Sequence, residues 1–157
     1  MFLRHPLLSF VTLLYLAIVG WITLGPQPFD DSSDSLIWRL LGVFDRFPST
    51  SWIEYSTLEF AGNVAMFLPI GLFFLLLFGR RLWWFAIVVS IALTVGIEFA
   101  QQFIPSRVSD PRDIVSNSVG ALIGVLAGLT LTATKARQLR RANAANRSTP
   151  TGPLRVR

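Results

Sequence analysis

Four apolar runs of membrane-crossing length, Leu7–Leu24, Leu58–Phe78, Leu82–Ile104 and Ile114–Ala133, confine this chain to a bundle of helices in a bilayer. A hydrocarbon core roughly 30 Å thick takes about 20 helical residues to cross. Inside it, each backbone amide needs a partner within its own segment, so an open strand is not an option. The charges between the runs carry an orientation. With the N-terminus in the cytoplasm, the inside segments hold Arg4, Arg80, Arg81 and the seven Lys and Arg after Thr134, ten of the fourteen in the chain. None of the nine Asp and Glu falls inside. That bias predicts four spans with both termini cytoplasmic. The fold class expected is all-α, a polytopic four-transmembrane-helix bundle.

At 157 residues the chain has room for one membrane domain, residues 1–133, and a basic tail, 134–157. The tail is polar, rich in Arg, and without an acid, so it is expected to be disordered and to meet anionic lipid headgroups. The net charge of +5 does not imply nucleic acid, because the basic residues flank the apolar spans and fill the tail. Cysteine is absent, which removes disulfides, thiol nucleophiles and thiolate metal sites. The first run is longer than a signal-peptide core and ends at Gly25-Pro26-Gln27-Pro28 without an A-x-A-like cleavage site, so it reads as a retained span.

Between the first two spans, Leu36, Ile37, Leu40, Leu41 and Phe44 recur at helical spacing and predict a short interfacial helix over 35–47. Trp21, Trp83 and Trp84 mark headgroup levels. Span two has a capping-box signature at Ser56 and Glu59, with a second at Ser51 and Glu54, and Pro69 should kink it. The Gly79–Arg81 turn is so short that spans two and three must be antiparallel neighbours. Pro105 should end span three. Asp110 as N-cap, Pro111 at the first helical position and Asp113 in the first turn should open span four. Gly120, Gly124 and Gly128 then form a small-xxx-small ridge for close helix contact, within the chain or in a homo-oligomer.

Polar side chains inside spans are costly, an ionised one by about 2.5–3.5 kcal/mol at mid-membrane on insertion scales, and they need a reason to be there. Glu98, Gln101 and Gln102 share a face of span three, Asp113 and Asn117 a face of span four, and Asn63 lies in span two. Rise per residue brings Glu98, Asn117 and Asn63 into one slab under the outer headgroups, with Arg107, Asp110 and Arg112 in the adjoining turn. One reading is a hydrogen-bonded network that ties Glu98 to Arg107, Asn117 and Asn63. The other is a pocket open to the outer leaflet, lined by Asn63, Glu98, Gln101, Gln102, Arg107, Asp110, Asp113 and Asn117, where Arg107 meets an anionic group beside a helix N-terminus. Glu98, Asp110 and Asp113 are hard oxygen donors, but two arginines compete for them, and no metal or other cofactor is expected. His5, the only histidine, lies at the opposite face and cannot complete a catalytic triad.

Asn63-x-x-x-Phe67-x-Pro69-x-Gly71, then Glu98-x-x-Gln101, then Arg107-x-x-Asp110-x-x-Asp113-x-x-x-Asn117-x-x-Gly120-x-x-x-Gly124 resembles the signature of VanZ-like membrane proteins. The likeness covers residues 58–128, and the first 57 residues carry no motif. It implies a bacterial cytoplasmic-membrane protein associated with glycopeptide (teicoplanin) resistance, whose ligand would be a lipid-linked envelope component or a lipoglycopeptide. An enzyme acting on a lipid-linked phosphate or acyl group, with Glu98 as general base, and an assembly subunit using the glycine ridge are the competing expectations.

Overall fold

The computed structural model describes residues 6–25, 43, 54–105, 107 and 109–148; beyond residue 134, Gln138 alone has a described side chain. It consists of helices α1 (Pro6–Leu24), α2 (Tyr55–Phe78), α3 (Trp83–Gln101) and α4 (Pro111–Ser148), with a 3-10 turn at Arg80–Leu82 between α2 and α3. All four helices are long and apolar enough to cross a membrane. No strand occurs among the described residues. The fold is a four-helix membrane bundle, as the run lengths require. The interfacial helix expected over 35–47 lies, apart from Val43, outside the described residues.

The glycines set the architecture. A Cβ on Gly120 would overlap the carbonyl of Val64, and one on Gly124 would overlap that of Leu68. Both contacts keep the same offset of 56 positions, so α2 and α4 run parallel and in register. Their first residues, Tyr55 and Pro111, keep that offset too, and the two helices start flush with each other. Gly71 completes the seam from the other side against the backbone of Ala121. Lipid tails are as apolar as leucine, so helices in a membrane associate through close packing rather than burial from water. Small residues at these three contacts supply that packing. The ridge predicted as a possible oligomer surface is therefore consumed inside the molecule, because α2 offers it a matching backbone face.

Gly79 makes the reversal into α3. Its φ of +84° is open to glycine and strained for other residues, and Leu82 donates to its carbonyl at 3.0 Å. Phe67, Ile70, Phe74 and Leu75 of α2 form the core with Ala86 and Ile97 of α3, Ala121 and Val125 of α4, and Val19 of α1. Phe10, Leu13, Val88, Leu126 and Leu131 point outward, the surface a lipid-solvated bundle needs. α1 is more lightly held and leaves most of its side chains outside the core. Tyr15 fastens its middle, donating to the carbonyl of Met66 at 2.8 Å. That carbonyl is next to the one of Ala65, from which Pro69 withholds an amide. α2 continues unbroken through Pro69 to Phe78.

Three boundaries differ from expectation. α2 starts at Tyr55 after an extended Glu54 whose side chain makes no capping bond; the Glu54 carbonyl takes the Thr57 and Leu58 amides, and Ser56 lies inside the helix instead of capping it. α3 stops at Gln101, ahead of the position Pro105 would impose, because 3-10-type bonds from Phe103 to Ala100 and from Ile104 to Gln101 already turn the chain. α4 passes Thr134 and remains helical to Ser148, where a disordered tail was expected. Ala, Arg, Gln and Leu dominate residues 136–142, all strong helix formers, and they extend a helix already nucleated in the bundle.

Candidate ligand cleft and its polar latches

The polar residues of the spans gather at one end of the bundle, where α1 and α3 finish and α2 and α4 begin. Helix starts explain part of this. Asp110 accepts the Arg112 amide on its side chain at 2.8 Å and the Asp113 amide on its carbonyl at 2.9 Å, an N-cap that places Pro111 first. Asp113 follows in the first turn, favourable beside the amide-rich, positive end of a helix.

Most of the expected site residues act as latches between elements. Asn63 of α2 donates to Asp113 Oδ1 of α4 at 2.8 Å. Asn117 of α4, 3% exposed, donates through Nδ2 to Thr94 Oγ1 of α3 at 2.8 Å. Glu98 of α3, 4% exposed, accepts the Ser109 hydroxyl at 2.8 Å and the Asp110 backbone amide, and so seats the segment leading into α4. Gln101 donates to the carbonyl of Thr23 at 3.0 Å. Interhelical hydrogen bonds in membranes average about 0.6 kcal/mol and reach about 1.7, so their value here is register more than stability.

Arg107 is engaged by backbone carbonyls at the end of α1. Its Nε reaches the carbonyl of Gly25 at 3.1 Å, and its Nη2 reaches those of Ile22 at 2.6 Å and Gly25 at 2.7 Å. A cation on the last carbonyls of a helix meets the negative end of its dipole. Arg107 thus docks α1, and among the described residues no hydrogen bond joins it to Glu98. The expected single network resolves into separate pairs. Gln102 is a second correction: α3 ends one residue before it, and its side chain is exposed instead of sharing the buried face of Glu98 and Gln101.

A stripe of smaller polar groups was missed. Ser90, Thr94, Glu98 and Gln101 follow one buried line down α3, and Ser116 is buried beside Asn117 on α4. Ser and Thr return their hydroxyls to their own helix, as Ser90 does to the Ala86 carbonyl at 2.9 Å, and so look unremarkable in an apolar run. The spacing of 90, 94, 98 and 101 was the available signal. The carbonyl oxygens of the Asn117 and Gln101 side chains are buried and take no hydrogen bond from the protein.

Beside these latches lies an open cleft of about 260 Å³, lined by Ser56, Thr57, Glu59, Phe60, Asp110, Arg112 and Asp113. It exists because the glycine seam sets the first turns of α2 and α4 side by side. Of the residues expected to line a pocket, Asp110 and Asp113 do so; Asn63 stands behind as the partner of Asp113, while Glu98, Gln101, Asn117 and Arg107 serve the latches. Glu59, Asp110 and Asp113 are close enough for their charges to act on one another, with Arg112 opposing them. Glu59 and Arg112 were legible as a capping partner and a loop charge; what brought them into the lining was the parallel register, which the spacing of glycines alone did not reveal. Chemically, the cleft offers three carboxylates, one guanidinium, two hydroxyls and one aromatic ring to a guest arriving from the membrane surface. Among the described residues no group of His, Asp and Glu is arranged to hold a metal ion.

No curated protein and no solved structure matches this chain. The VanZ/LLP1 family model matches residues 11–132, taking in α1 and the segment after it as well as the motif-bearing helices. α1 escaped the motif reading because its part in the bundle is to pack and to receive hydrogen bonds on its backbone. The chain is a member of the VanZ/LLP1 family.

Proposed function

We propose that this protein is a multi-pass protein of the bacterial cytoplasmic membrane, with both termini inside, that binds the headgroup of an amphiphile or lipid-linked envelope component in the α2/α4 cleft and changes how it is presented at the outer leaflet. In that role it would reduce the reach of a lipoglycopeptide such as teicoplanin. The observation that carries the reading is the cleft itself. There, charged side chains line a cavity at one end of an apolar bundle, while the neighbouring polar groups are spent on holding helices together. Three carboxylates against one guanidinium favour a guest bearing an ammonium group or several hydroxyls. Glu98 is already bonded twice and buried, which suits a positioning residue better than a general base.

Glu59→Gln and Arg112→Gln test the reading, since both residues line the cleft and neither forms one of the latches. The full-length protein, extracted gently and examined by native mass spectrometry, should retain an amphiphile that the Glu59→Gln/Arg112→Gln variant retains about tenfold less, the effect of losing a charge-assisted hydrogen bond of about 1.5 kcal/mol. Cells expressing that variant should return to the teicoplanin susceptibility of cells lacking the protein. Identical lipid profiles and identical susceptibility would refute the proposal.

A further inference from the structure

The opposite end of the bundle has its own chemistry. Gly79 at φ +84° throws Arg80 and Arg81 out of the α2–α3 reversal, and both side chains are exposed, with no partner among the described residues. Trp83 and Trp84 follow immediately, 45% and 53% exposed at the first turn of α3. Paired exposed indoles favour the headgroup level, which puts the two arginines at the depth of lipid phosphates. The α2–α4 register brings a second basic element to the same height. The offset of 56 seen at Val64–Gly120 and Leu68–Gly124 sets Lys135 level with Gly79. From there α4 continues as helix to Ser148 and projects about 20 Å beyond that level. Residues 135–148 include Lys135, Arg137, Arg140, Arg141 and Arg147 and no acid.

We infer that the Arg80–Arg81 turn and the helical extension of α4 form one binding surface for the phosphate of an anionic phospholipid, with Trp83 and Trp84 as its depth anchor. The two elements contain seven basic residues and no acid, and separate parts of the chain deliver their backbones to one level. The apolar flank of α3 provides for the acyl chains, because Val88, Ile91 and Val95 continue outward from the tryptophans. This surface is at the far end of the bundle from the cleft and does not depend on it.

The test is lipid retention by the full chain in detergent, read by native mass spectrometry. Phosphatidylglycerol is compared with phosphatidylcholine of the same acyl chains, with inorganic phosphate added as competitor. The wild type should hold phosphatidylglycerol in preference, and phosphate should not displace it. Arg80→Gln/Arg81→Gln and Arg140→Gln/Arg141→Gln should each weaken retention roughly 5-fold per charge removed. Gly96→Ala, in the middle of α3 and in neither site, should leave it unchanged. Circular dichroism confirms that each variant remains helical. Equal retention of the two lipids by the wild type overturns the inference. So does retention that survives Arg80→Gln/Arg81→Gln while Arg140→Gln/Arg141→Gln abolishes it, since the turn would then be no part of the surface. Displacement by inorganic phosphate would assign the basic groups to a soluble anion instead.

Discussion

α2 is held by α4 backbone against backbone, whereas α1 is held by a few side-chain donors that reach carbonyls across the contact, most of them landing on its last turn. The first contact leaves no room for a methyl group at Gly71, Gly120 or Gly124. The second consists largely of Tyr15 on Met66, Gln101 on Thr23, and Arg107 on Ile22 and Gly25. A bundle without a hydrophobic driving force between its helices can use either device, but they fail differently. Close packing is intolerant of volume and indifferent to polarity. Polar docking tolerates volume and fails when a donor is lost.

The largest effect that separates the two is expected at the seam. Gly124→Leu places a side chain on the backbone of Leu68, and overpacking that costs about 1–3 kcal/mol where side chains can yield should exceed about 3 kcal/mol against a main chain. Gly96 of α3, with nothing within 4 Å of its Cβ position, is the control: Gly96→Ala should gain about 0.5–1 kcal/mol of helix stability. Unfolding in mixed detergent micelles measures both, and equal effects would erase the distinction.

Arg107→Gln should come next, costing about 1.5 kcal/mol, the lower end for charged hydrogen bonds because the guanidinium is partly accessible. The loss should appear as reduced disulfide capture between cysteines introduced at Thr23 and Gln101. A pair at Val64 and Gly120 is not usable, since the seam admits no side chain, so α2–α4 integrity is read from the midpoint of unfolding. The chain has no cysteine of its own, which keeps the capture experiment clean. A lowered midpoint without loss of capture would mean that Arg107 serves the core rather than α1. The smallest effect belongs to Tyr15→Phe, about 0.5–1.5 kcal/mol for one neutral bond, felt by α1 alone.

These two kinds of contact also divide what could be read from the sequence. Run length gave the four helices, and the Asp110-Pro111 pair gave the start of α4, because both depend on local chemistry. The Gly120-Gly124-Gly128 ridge was visible as a surface that wants a close neighbour; which neighbour was not, since α2 meets it with carbonyls that belong to no particular residue type. The same holds for Arg107. A guanidinium near a helix start suggests an anion, and backbone acceptors on a distant helix leave no mark in the sequence. Glu98, Asn63, Asp113 and Asn117 were identifiable as residues needing partners, but Thr94, Ser109 and the Thr23 carbonyl were not identifiable as the partners. The cleft was half legible. Asp110 and Asp113 stood out, while Glu59 and Arg112 joined them through a register that only the fold reveals.

Starting α2 and α4 flush has one more consequence. Two neighbouring helices that point the same way bring two amide-rich starts together at one rim, beside the carbonyl ends of α1 and α3, while at the other rim α2 ends and α4 continues to Ser148. Glu59, Asp110 and Asp113 lie at the first rim, Arg80, Arg81 and Lys135 at the second. In the orientation proposed here, the basic residues of the second rim are also the charges that tell the insertion machinery which way up the protein belongs. Exchanging the charges of the two rims to invert the protein would therefore also replace the carboxylates at the starts of α2 and α4 with cations, which the amides there disfavour.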